Sequence, residues 1–215
     1  MAYSAKSELC IFDHATPQVV IDASSFEAYY PKDAISNTNT IEFNINASET
    51  DYLDLNDTLL SVKIKVTKGD GKDIDDGTDV TPSNYLLYTL FKEAVLSFNN
   101  IKIEDTNDKY TIKAIIENCL NFSADTETTF LQCIGWGKED RKKWAAKSNI
   151  ISLCGPLNFD FFNQPKYLIP GVNVNIKLTR NPSDVILKYV EPTEAAKKIK
   201  PEIYFQEIKL LVRRV

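Results

Sequence analysis

Histidine is nearly missing from this chain. His14 is the only one in 215 residues, so acid–base chemistry and metal ligation by imidazole have a single candidate. It stands in a polar segment with no serine or cysteine motif around it, and no catalytic residue is expected. Glycine is sparse as well. None of the seven falls in G-x-G-x-x-G or P-loop spacing, which excludes a glycine-rich phosphate cradle. The four cysteines, Cys10, Cys119, Cys133 and Cys154, show no C-x-x-C spacing and read as buried free thiols, so neither a disulfide framework nor a metal site is expected. No run approaches the roughly 20 apolar residues that cross a bilayer, and Met1 to Glu8 lack a signal-peptide core, which predicts a protein that is neither inserted in a membrane nor secreted. The sequons at Asn46, Asn56 and Asn121 are then expected to stay unmodified. An overall excess of positive charge is also lacking: the net charge is −5, so contact with nucleic acid is not expected.

What the chain does have is two-residue alternation, the mark of strands with one wet and one buried face. Ile41, Phe43 and Ile45 alternate with polar neighbours, as do Leu60, Val62, Ile64 and Val66, and again Val172, Val174, Ile176 and Leu178. Asn99-Asn100 between Leu96/Phe98 and Ile101/Ile103 predicts a two-residue hairpin, because asparagine tolerates the positive φ of a type I′ turn. Further strands are predicted at Gln18 to Ala28, Tyr85 to Phe91, Leu157 to Phe162, Val185 to Tyr189 and Ile203 to Val212. In the last, Ile203 and Phe205 are out of phase with Ile208, Leu210 and Val212, which predicts a β-bulge near Gln206. The strand is expected to run to Val215. Eight or more strands in one soluble, well-mixed composition give a β-sandwich.

Two helices interrupt the pattern. From Tyr110 to Leu120, Ile112, Ile115, Ile116, Cys119 and Leu120 recur at helical spacing and are expected to be the buried side, with Lys113, Glu117 and Asn118 outside. A shorter helix is predicted from Thr126 to Ile134, capped by Asp125 and stopped by Gly135, with Phe130, Leu131 and Ile134 inward.

Three stretches could carry chemistry. The loop Lys68 to Asp79 holds Asp70, Asp73, Asp75, Asp76 and Asp79, but its spacing is not that of an EF-hand, so it reads as a solvated loop and not a calcium site. From Gly135 to Ser148, five basic side chains against Glu139 and Asp140 leave a local net charge of +3 beside Trp136 and Trp144. That combination is a weak single-strand platform, and a partner-contacting loop is the better reading. Tyr29 and Tyr30 with the acidic loop are the only hint of a lectin-like site.

Several segments resemble, in the same order, the major capsid protein of Polinton (Maverick) elements and adintoviruses. They are Ser7-Glu8-Leu9, Tyr52-Leu53-Asp54-Leu55, Leu90-Phe91 leading to Leu96-Ser97-Phe98-Asn99, Tyr110 to Leu120, Asp160 to Gln164, Leu168 to Val172, and Leu210 to Val215. The family's helix tends to begin Tyr-Pro-Tyr-Lys-Ala-Tyr, where this chain has Tyr110-Thr111-Ile112-Lys113-Ala114-Ile115. The family protein also carries two jelly rolls in tandem, and this sequence stops where the first passes into the second.

The resemblance implies an all-β fold, a jelly-roll β-sandwich of two antiparallel sheets with one or two short inserted helices. Residues 1–17 are expected to form an N-terminal arm and residues 18–215 a single jelly-roll domain, the first roll of the family's pair. It implies a non-enzymatic capsid protein without cofactors, made in the host cytoplasm or nucleus and placed in the virion shell. Its partners would be copies of itself in a trimeric or hexameric capsomer, or a second jelly-roll chain, together with other capsid proteins. The expected contact regions are the arm, the 110–121 helix, the 135–148 loop and the terminal strand. The competing expectation is a ligand- or receptor-binding β-sandwich of the lectin kind.

Overall fold

A computed structural model of the chain describes residues 21–35, 38–75, 78–137, 141–189 and 200–215. Its strands are β1 (Ser25–Tyr29), β2 (Thr40–Ile45), β3 (Leu53–Lys68), β4 (Val80–Pro82), β5 (Phe91–Phe98), β6 (Ile101–Asp105), β7 (Ile151–Pro156), β8 (Val174–Arg180), β9 (Leu187–Tyr189) and β10 (Pro201–Arg214). Eight of them form two four-stranded sheets, in the orders β1-β10-β3-β7 and β2-β8-β5-β6, and β4 pairs separately with β9.

With the β4–β9 pair set aside, the first strand lies beside the last, the second beside the last but one, and so inward to the β5–β6 hairpin. Every pairing is antiparallel. One long hairpin rolled into two facing sheets is the jelly roll.

Alternation places the core. Phe43 and Ile45, then Val62, Ile64 and Val66, then Ile176 and Leu178, then Ile208, Leu210 and Val212 are all at most 1% exposed. Each such side chain withdrawn from water contributes about 1.5–3 kcal/mol before the entropy of ordering it. At the hairpin tip Asn99 and Asn100 take φ of 46° and 65°, the left-handed pair that a type I′ turn needs. On β10 the register against β3 shifts between Phe205 and Glu207, leaving Gln206 unpaired. That bulge restores the phase, so that Phe205 and Ile208 both point inward.

Several expected elements are placed differently. Tyr85 to Phe91 is not a strand: Leu86–Thr89 is a short helix (α1) entered through Tyr85 at φ 52°, and β5 begins only at Phe91. The run Leu-Leu-Tyr-Thr-Leu-Phe is buried throughout, and periodicity cannot separate a buried strand from a buried helical turn. Leu157 to Phe162 is likewise not a strand but a bend followed by a 3₁₀ turn at Asp160–Asn163. The strand in that region is β7, slightly upstream. Val185 to Tyr189 divides into a helical turn, Ser183–Ile186, and the three residues of β9. Of Gln18 to Ala28, residues 18–20 lie outside the described residues, and β1 starts at Ser25.

The long helix, α2, runs Tyr110–Asn121 as expected. The second predicted helix is broken into a 3₁₀ turn at Ala124–Thr128 and the short α3 at Phe130–Cys133. Asp125 lies inside the turn and is not its cap. Leu131 and Ile134 are buried, and Gly135 closes the segment at φ +84°, where a Cβ would press on Leu86.

Candidate assembly surfaces

Helix α2 lies against the start of β5. Tyr110, Ala114 and Asn118, spaced four apart, form its buried row. The Thr111 hydroxyl donates to the Phe91 carbonyl at 2.8 Å, and the Asn118 amide donates to the Ala114 carbonyl at 2.7 Å. On one flank Lys113 bridges to Glu104 of β6 at 2.6 Å and to Asp160 at 2.9 Å. Burial pushes the hydroxyls of Tyr88 and Tyr110 well above the usual phenol range, so both stay neutral and structural at any working pH. Burial, then the nearby Cys119 thiol, takes Tyr85 up to about 12.

The opposite side of α2 corrects the expected burial. At about 100° per residue, Ile112 stands roughly 200° from Tyr110, on the far face of the helix. Ile112, Ile116 and Leu120 are 60%, 52% and 80% exposed. The three form an apolar row at i, i+4 and i+8 that none of the described residues covers. Cys119 and Cys133 are exposed as well, so the expectation of buried thiols fails for both. Cys154 is half-buried, and Cys10 lies outside the described residues.

The terminal strand is not a free surface. β10 sits between β1 and β3, and Val215 exchanges both backbone hydrogen bonds with Tyr52 at 2.9 Å. Its last two arginines are engaged, Arg213 with Asp57 and Arg214 with Glu27, Asp51 and Tyr29. The Thr50 hydroxyl and Arg214 hold the Asp51 carboxyl below its ordinary range. Among the described residues, the sheet edges are β1 and β7 in one sheet and β2 and β6 in the other.

In the 135–148 connection the tryptophans are packed and do not stand open for stacking bases. Trp136 lies on Tyr85 with ring centroids 4.8 Å apart, and the Trp144 ring lies on Gly137. Lys142 is paired with Asp79 at 2.8 Å. Ser148 ties the connection to the sheet, donating to the Val66 carbonyl at 2.6 Å and accepting from the Ile74 amide at 2.8 Å. Beside β7 these residues leave a groove of about 770 Å³, walled by Trp136, Lys143, Trp144, Ile150, Ser152 and Leu153. The sequence reading did not find this groove, because it missed β7. The alternation Ile151-Ser152-Leu153 was the available signal.

The acidic loop turns its carboxylates to lysines. Asp73 meets Lys65 at 3.0 Å, Asp75 meets Lys68 at 2.7 Å, and Asp70 meets Lys72 at 3.2 Å. Asp76 lies outside the described residues, as does His14. Tyr29 pairs opposite Leu210, whereas Lys68 at the loop pairs opposite Pro201. Nine residues of strand separate them, about 30 Å, so the tyrosines and acids of the lectin-like expectation do not meet.

No protein-family model matches the chain. Among curated sequences it is similar to the uncharacterised Caenorhabditis elegans protein F54H12.2, with 22% identity over 186 residues covering 80% of this chain and 44% of that one. Among solved structures it is similar to the quasi-atomic model of the PBCV-1 virus capsid, with TM-score 0.58 and 15% identity over 94% of this chain and 44% of that one. The Sputnik virophage structure matches at TM-score 0.60 and 10% identity, covering 100% and 52%. The Faustovirus major capsid protein matches at TM-score 0.60 and 12% identity, covering 95% and 56%. These likenesses establish the jelly-roll fold. The chain spans about half the length of the proteins it matches.

Proposed function

We propose that this chain is a jelly-roll unit of a viral, or virus-like transposon, major capsid protein. It acts by shape and self-association, not by catalysis. The observation that carries the reading within the molecule is the outward row Ile112, Ile116 and Leu120. Aliphatic side chains aligned on a helix that is already packed on its other face mark an interaction surface. The solved structures that match along nearly the whole roll support it, since each is a capsid or virion structure.

The finer reading is the first roll of a two-roll protein of the Polinton and adintovirus kind. Coverage of about half of each matched structure supports it, as do the ordered sequence segments. In this reading residues 1–17 are an arm and residues 18–215 the roll. Two rolls per chain make a trimeric capsomer, while a chain with one roll assembles as six copies or with a second-roll chain. The test is negative-stain electron microscopy of the purified chain. Rings of uniform diameter, alone or with a second-roll chain supplied, are expected. Single domains in every field would overturn the reading.

A further inference from the structure

The groove beside β7 lies along an unpaired strand edge. Among the described residues β7 ends its sheet, so alternate backbone N–H and C=O groups of that strand face away from β3 with no strand opposite. At Gly155 Ile134 and Leu87 lie over the face of the strand, where a Cβ would meet them. From Ile150 to Leu153 the edge opens onto the groove, between Trp136 and Trp144. A slot along a free strand edge, walled by two tryptophans and Ile150 among polar groups, suits an extended polypeptide whose backbone completes the ladder.

We propose that this slot receives residues 8–13 of a neighbouring copy, in an exchange of arms that rests on the self-assembly proposed above. That segment reads Glu8-Leu9-Cys10-Ile11-Phe12-Asp13, four apolar residues between two carboxylates. The carboxylates are complementary to the basic connection that forms the rim, with Lys143 in the wall and Arg141 and Lys147 nearby in the chain.

Sheet geometry favours the neighbour over the same copy. The arm enters at β1, and β1 and β7 are opposite edges of one sheet. Ser25 pairs with Arg214, while Ile151 pairs with Ile64, which pairs with Phe205. The slot is therefore about 30 Å along the strands and about 14 Å across them from the arm's exit. The stretch from Phe12 to Ser25 reaches about 45 Å at full extension. Within one copy it would have to cross β10 and β3 diagonally, a straight path of about 33 Å over the sheet. A neighbour standing at the β1 edge presents its β7 edge across a single strand spacing, and repetition of that head-to-tail contact gives a ring when the rotation between copies closes.

The test is cross-linking between two forms of the full chain. In both, Cys119, Cys133 and Cys154 are replaced by serine or alanine. One form is size-tagged and keeps Cys10; the other carries Ser152→Cys and Cys10→Ser. A short bis-maleimide is expected to give a mixed dimer between them. Native-like circular dichroism of both forms guards against misfolding. In the otherwise unaltered chain, Phe12→Asp is expected to raise the self-association Kd about tenfold or more. If light scattering shows oligomers but neither effect appears, the arm contact is wrong and the assembly reading stands. If the chain is monomeric throughout, both fall.

Discussion

The interior of the sandwich and the outer face of α2 are built from the same aliphatic residues, yet they do opposite things. Between the sheets, Ile176, Leu178, Ile208 and Leu210 are sealed from water. On α2, Ile112, Ile116 and Leu120 face it, and it is Ala114 and Asn118 that pack inward. Apolar character alone therefore does not identify the core. In the strands burial follows composition, whereas on the helix a small residue and an amide are inside because α2 must lie close against β5. The outer row is left for another surface.

Substitutions can break this contrast, and the largest effect is expected inside. Leu178→Ala should lower stability by about 2–5 kcal/mol in urea unfolding. A loss under about 1 kcal/mol would mean that the sheets are not packed as described. Next comes the inner row of the helix. Ala114 is fully buried, so Ala114→Leu overfills its site and should cost about 1–3 kcal/mol. On the outer row, Ile116→Ser should leave the unfolding midpoint of the isolated domain within about 0.5 kcal/mol of the parent.

Acid should produce the smallest change, at the rim. Lys63 and Lys209 lower the pKa of Glu207, Lys102 and the Asn107 amide lower that of Asp105, and Asp51 is lowered as described. A carboxyl with a depressed folded pKa adds stability that is whole above its unfolded value, about 4, and is lost as pH falls through the folded value. The urea midpoint should thus be flat from pH 7 to 5 and decline modestly below pH 4. These groups are partly exposed to solvent, so the decline should also shrink in high salt.

Much of the sandwich was legible in the sequence because its strands are wet on one face. Ile41 to Ile45 and Leu60 to Val66 announce themselves by alternation, Asn99-Asn100 by turn chemistry, and the bulge at Gln206 by a break in phase. Tyr85 to Phe91 was misread because it is buried all round and carries no period. The helix was found, but of the side chains expected inside only Ile115 packs on the core, while Ile112, Ile116, Cys119 and Leu120 are exposed. A hydrophobic stripe shows that one face seeks cover without saying what provides it. The β7 groove is a property of tertiary placement. It brings Trp136 and Trp144 to a strand edge that only the sheet order defines.

The central claim is that α2's outer row holds copies together. Multi-angle light scattering across a dilution series of the full chain, beside an Ile112→Ser/Ile116→Ser/Leu120→Ser variant, tests it most directly. The account predicts discrete oligomers for the parent and, for the variant, a monomer with native-like circular dichroism. A parent that stays monomeric at the highest concentration, or a variant that assembles as the parent does, would contradict it.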